Sequence, residues 1–159
     1  MKALVLSIAI LLPSLSLGQI PILDARKEIT KLLDEWHVAA AEADSEKYFG
    51  SMSETCRYLG TDASERWTKA QFREFAKDAF EHKRTWKFVP SERKLKVEKG
   101  IKFAWFDELL DTWMGPCRGS GVLIKTEEGW KIDQYSVTIL VPNDKVNSYL
   151  ELIGLAKEE

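Results

Sequence analysis

Asp107 and Glu108 are the adjacent acids of this chain with the most to offer chemically. They lie in a segment that reads as a β-strand, where successive side chains face opposite ways, so one points inward and the other outward. An inward carboxylate among aromatic rings loses its hydration, its pKa rises, and it can act as a general acid or base. Arg118, at the start of the following strand, offers the opposite outcome: a buried pair that keeps the carboxylate ionised and makes it a poor base. Tyr48 can donate its hydroxyl to a carbonyl oxygen, as an oxyanion stabiliser would. Asp107, Glu108 and Tyr48 are therefore the candidate catalytic residues.

A second set suits ligand contact. Arg66 and Trp67 stand just before a helix start, where a loop can bring the guanidinium to an anionic group. Along 130–141, one strand face runs Trp130, Ile132, Gln134, Ser136, Thr138, passing from apolar to uncharged polar as a pocket wall does. The other face carries Tyr135, Val137 and Ile139, an apolar run expected on the outside and suited to self-association. Trp36, Arg66, Trp67, Arg118, Gln134 and Ser136 are the candidate ligand contacts. His37 follows Trp36 and reads as the edge of a buried helical stripe. Gly119-Ser120-Gly121 lacks the spacing of a nucleophile elbow, and its glycines read as close packing or a bulge.

Composition limits the alternatives. The chain has 159 residues, 23 basic against 25 acidic, and a formal net charge of −2, so no uniform field exists to hold nucleic acid. Two His and two Cys cannot build a three-His catalytic zinc site, a four-Cys site or a disulfide-dense scaffold. No metal and no cofactor is expected. With 6 Trp, 7 Phe and 4 Tyr, the core is aromatic.

Residues 1–18 read as a secretory signal: Lys2, the apolar run 3–12, Pro13, then Ser16-Leu17-Gly18, with the cut before Gln19. That run is about half of the roughly 20 residues a membrane helix needs. A secreted or periplasmic protein is expected, with no membrane association after cleavage; an uncleaved N-terminal anchor is the alternative. In an oxidising compartment Cys56 and Cys117 either form a disulfide or remain two buried thiols.

The elements that must hold these residues follow from periodicity. Ile29, Leu33, Trp36, Ala40 and Ala43 recur at three- and four-residue steps and predict a helix over 24–44, capped by Asp24. A short helical turn follows at 45–49. Thr68 and Gln71 form a capping box, and Trp67 with Phe72 a hydrophobic staple, for a third helix whose buried stripe is Phe72, Phe75, Ala76 and Ala79. The period then becomes two, and strands are predicted at 86–97, 101–113, 119–126 and 130–141, joined by short turns as antiparallel neighbours. Pro142 ends the last strand, and Asn143 or Asp144 caps a final helix carrying Val146, Tyr149, Leu150 and Ile153. Helices segregated from a meander make an α+β domain over 19–159: a curved antiparallel sheet forming a half-closed cone, covered by the N-terminal helices and leaving a cavity at its mouth.

With Glu35-Trp36 on the first helix, Gly60-Thr61-Asp62-Ala63-Ser64-Glu65-Arg66-Trp67, Ala104-Trp105-Phe106-Asp107-Glu108, Arg118-Gly119-Ser120-Gly121-Val122-Leu123, and Trp130-Lys131-Ile132 leading to Val141-Pro142-Asn143, the chain resembles the exported SnoaL-like group of the nuclear transport factor 2-like superfamily. The resemblance implies a cone-shaped α+β barrel with a pocket between sheet and helices, and a homodimer through the outer sheet face. The superfamily includes isomerases, cyclases, dehydratases and hydrolases beside members used for binding or association, so fold does not fix reaction. Many SnoaL-like relatives carry a histidine late on the last strand, two residues past a polar one; Gln134 and Ser136 occupy those positions here. The expected function is binding of a small, largely apolar organic molecule. A cofactor-free isomerase, cyclase or hydrolase using the inward acid, or a dimerising association module, are the alternatives.

Overall fold

The computed structural model describes residues 19–155; the segment read as a signal lies outside them. Helix α1 spans Gln19–Ala41, four turns of which bury Ala25, Ile29, Leu33, Trp36 and Ala40 along one stripe. It starts earlier than the sequence predicts: Asp24 lies inside the helix, paired with Lys27 at 3.5 Å, and Pro21 sits in the first turn, where its missing N–H costs nothing. Helix α2, Ser45–Gly50, is capped by Asp44, whose carboxylate accepts from the Lys47 N–H, and buries Tyr48 and Phe49. Helix α3, Lys69–Glu81, begins at the predicted capping box, with Thr68 and Gln71 each accepting the other's backbone N–H. Its buried stripe is Phe72, Ala76 and Phe80, whereas Phe75 is exposed.

Six strands, not four, make one sheet: β1 Met52–Leu59, β2 Arg66–Thr68, β3 Val89–Val97, β4 Phe103–Thr112, β5 Gly115–Thr126 and β6 Gly129–Ile139, in the spatial order β2-β1-β6-β5-β4-β3. The four predicted strands form the antiparallel meander β3 to β6, and β1 joins it parallel to β6. The alternation of β1 is interrupted by a register shift between Met52 and Arg57, which hides it from a period-two reading. The three-residue β2 is too short to show a period.

The helices lie over the concave side of this sheet, and one continuous core fills the space between them. It runs from Ile29, Leu33 and Trp36 on α1 through Phe49 and Phe72 to Phe106, Leu110, Leu123, Ile132 and Tyr135 on the strands. After the short 3₁₀ turn Asn143–Lys145, helix α4, Val146–Leu152, buries none of its residues. Among the described residues no helix is long and apolar enough to cross a membrane.

Candidate functional site

Strand β4 settles which acid turns inward. Ala104, Phe106, Glu108 and Leu110 are buried in strict alternation, while Asp107 lies on the outer face, opposite Lys94 on β3 and Ser120 on β5. Glu108 is fully buried, and both its oxygens are engaged. Oε1 lies 2.7 Å from His37 Nε2, and Oε2 accepts from Arg93 Nε at 2.6 Å. Arg93 Nη1 also donates to Asp34 Oδ1 at 2.7 Å and to the Thr30 carbonyl at 3.3 Å. Burial opposes the charge on Arg93, but Glu108 and Asp34 outweigh it and hold its pKa above the ordinary value. Helix α1 is thereby fastened to β3 and β4 by a polar clasp inside an apolar core.

The expected partner of the inward acid is corrected by this geometry. Arg118 stands exposed on the outer face of β5, between Leu109 and Thr138. Arg93 takes its place because β3 carries a bulge: the register shifts between Ser91 and Lys94, and Glu92 has a φ of 48°. The extra residue re-aims the next side chain, so Arg93 turns toward Asp34 and Glu108.

A second bulge corrects the faces of β6. The register with β5 shifts at Asp133, so Trp130 and Ile132 face the core before it, and Tyr135 and Val137 after it. Gln134 and Ser136 consequently lie on the outer face rather than on a pocket wall, and Tyr135 and Val137 are not available to a partner. A one-residue insertion exchanges the two faces of every position that follows.

The depth of the cone is packed. Trp36 stacks on Tyr48 with centroids 4.9 Å apart and meets Tyr135 edge-on at 4.7 Å, while Tyr58 stacks on Phe72 at 3.8 Å. Trp36 Nε1 and the hydroxyls of Tyr48 and Tyr135 are buried without a hydrogen-bond partner among the described residues. Desolvation, reinforced by the neighbouring Tyr58, pushes the phenols of Tyr48 and Tyr135 well above their ordinary pKa. Trp36 and Tyr48, 2% and 1% exposed, are core residues. Gly119 makes room for the Tyr135 hydroxyl, which would collide with any Cβ there, and Gly121 lets Phe106 and the Gln134 carbonyl close over it. The glycines flanking Ser120 thus serve packing, as the sequence suggests.

Open space survives at the mouth, as a cleft of about 140 Å³ lined by Tyr58, Trp67, Phe72, Phe75, Trp86, Phe88, Trp113, Met114 and Val137, with Gly60, Thr61 and Glu65. Of the predicted ligand contacts Trp67 alone lines it. Arg66 is exposed on β2 and does not line the cleft; its neighbour Glu65 supplies the wall. Trp86 and Trp113 stand at the ends of the predicted strands 86–97 and 101–113, but β3 begins at Val89 and β4 ends at Thr112, so both rings lie just outside the sheet, where strand alternation gives no direction. Cys56 and Cys117 are buried free thiols, and burial, then Asp133, pushes Cys56 up to about 12. Among the described residues no three His, Cys, Asp or Glu side chains gather as a metal set.

None of the curated proteins matches the sequence. Solved structures share the fold at low identity. An NTF2-like protein of unknown function from Pseudomonas putida KT2440 superposes with a TM-score of 0.64 at 10% identity, over 77% of this chain and 92% of the other. An NTF2-like protein with a cystatin-like fold from Novosphingobium aromaticivorans gives 0.64 at 13%, over 89% and 99%. A protein proposed as a dehydratase of the NTF2-like family, from Streptomyces avermitilis, gives 0.65 at 8%, over 76% and 99%. The family model of the SnoaL-like domain matches residues 29–142, from the first buried turns of α1 to the proline that ends the sheet. With that match spanning most of its length and the cone built around Glu108 and the aromatic mouth, the chain belongs to the SnoaL-like domain family.

Proposed function

We propose that this protein binds a small, largely apolar organic molecule at the aromatic cleft of the cone mouth and does not transform it. The observation that carries this reading is the commitment of Glu108, the inward acid, to His37 and Arg93 on its two oxygens. A carboxylate whose two oxygens are both taken by buried partners has no free oxygen to present to a substrate. Turnover by Asp107 is disfavoured by its position on the outer face, and turnover assisted by Tyr48 by its burial beneath Trp36. A cleft walled by aromatic rings excludes water from an apolar guest without needing chemistry.

The signal-like residues 1–18 support an exported protein acting in the periplasm or outside the cell. Self-association through the outer sheet face is supported by Phe103 and Trp105, 51% and 45% exposed, beside Val122 and Ile124 on β5. The test is native mass spectrometry of protein recovered from outside the cytoplasm. A chain beginning at Gln19 that retains a small organic molecule supports the reading, provided the Trp113→Ala variant loses that molecule. A guest retained equally by the variant, or one returned chemically altered, overturns it.

A further inference from the structure

We infer that the cleft at the cone mouth selects an organic cation, a quaternary or fully substituted ammonium group, over a neutral guest of the same shape. This rests on the reading of the cleft as a ligand site and names the class of ligand.

Charge is the first argument. Among the described residues, and apart from the Tyr58 phenol, the only ionisable side chain lining the cleft is Glu65, an acid, with no Lys, Arg or His beside it. The sequence holds 23 basic residues, so their exclusion is a property of this place. Four other clefts on the molecule each include at least two Lys or Arg side chains, such as Lys69 with Lys131, or Arg73 with Lys77. The cleft richest in aromatic rings is the one without a cation of its own.

Construction is the second. Seven of the lining residues are aromatic, and Trp67, Trp86 and Trp113 are tryptophans, the ring that attracts a cation most strongly through its negative face. Phe75 and Trp113, 60% and 82% exposed, stand at the rim, while Tyr58 and Phe72 close the floor. Glu65 is held in place: its carboxylate accepts the Asp62 N–H at 3.1 Å and occupies the space a side chain at position 60 would fill, so Gly60 admits the acid to the wall. Its field is felt inside, because after burial Glu65 is the next cause of the upward pKa shift of the Tyr58 phenol. A carboxylate that opposes an anion there favours a cation.

Size is the third. At about 140 Å³ the cleft holds under half of the smallest ordinary ligand cavity of about 300 Å³. It therefore suits a compact head group with the remainder of the ligand outside. A methylated ammonium combines apolar methyl surface with a diffuse charge that hydration holds weakly, which matches aromatic walls closed by a single acid.

The test uses the full-length chain with choline and its neutral isostere 3,3-dimethyl-1-butanol, read by tryptophan fluorescence and by saturation-transfer NMR. Choline is expected to bind about tenfold more tightly than the alcohol. Glu65→Gln should remove most of that preference while leaving the alcohol's affinity unchanged. Trp113→Ala, at an exposed rim position that the fold does not need, should weaken choline several-fold. If the alcohol binds as well as choline, or Glu65→Gln leaves the preference intact, the choice of a cation is overturned while the cleft remains a ligand site. If neither probe binds, or both bind undiminished to Trp113→Ala, the ligand-site reading falls with it.

Discussion

Glu108 owes its state to neighbours that no local pattern reveals. Its inward direction follows from strand parity, and the sequence supplies the choice between Asp107 and Glu108 as a pair of alternatives that a single alternation resolves. Its partner does not follow, because Arg93 sits in a run of four charged or polar residues that reads as a solvated edge, Ser91-Glu92-Arg93-Lys94. Only the bulge at Glu92 turns that guanidinium inward. Removing either partner takes a charged hydrogen bond from a buried group, Arg93 keeping Asp34 and Glu108 keeping His37, so Glu108→Gln and Arg93→Met should each lower unfolding free energy by about 2 kcal/mol in urea denaturation. The double variant should lose clearly less than the two together, since the second change removes a group whose contact the first has already broken. Strict additivity would show that the two side chains do not act as a pair. His37 shows the same division: its place on the buried edge of α1 is readable from spacing, its contact with Glu108 is not.

At the scale of elements, the reading succeeds where period and capping chemistry are local and fails where a bulge intervenes. Helix α3 begins where Thr68 and Gln71 require, and the four meander strands lie where alternation places them, except that β5 begins at Gly115, four residues before the predicted start. The faces of β6 do not, because Asp133 adds one residue between Ile132 and Gln134 and exchanges the inner and outer sets. Gly119 shows what the resulting direction of Tyr135 demands. A methyl group there meets the Tyr135 hydroxyl and its ring carbon, with the Leu110 side chain 3.2 Å away, so Gly119→Ala should cost about 2 kcal/mol by overpacking. Because the hydroxyl is both the nearest obstacle and a buried group without a partner, Tyr135→Phe alone should be neutral or slightly stabilising, and should restore part of the loss in the Gly119→Ala background. Thermal unfolding of the four proteins checks both statements; no recovery in the double variant would mean that the backbone, not the hydroxyl, limits the approach.

For the whole molecule, the packed interior has a consequence in alkali. Tyr48, Tyr58 and Tyr135 are all raised from their ordinary value of 10.0, chiefly by burial. Above that pH the unfolded chain releases phenol protons that the folded chain retains, so stability falls as pH rises and is unaffected by these groups below it. In a variant that replaces the exposed fourth tyrosine, Tyr149→Phe, tyrosinate absorbance should therefore appear together with the loss of tertiary structure above about pH 10. Phenolate formation in a protein still folded would contradict the packing. On the outer sheet face, Trp105→Arg should leave a folded monomer in sedimentation if Phe103 and Trp105 carry self-association, and an unchanged dimer would place the contact elsewhere. The sequence by itself determined the α+β class, the α3 cap, the meander and the presence of an inward acid, because each rests on contacts between residues close in the chain. Tertiary structure alone decided that Arg93 rather than Arg118 meets that acid, that the depth of the cone is filled with rings, and that the remaining space carries Glu65 rather than Arg66. Those outcomes depend on bulges and on side chains distant in sequence meeting across strands, and the direction of a side chain after a bulge is set by the strand beside it.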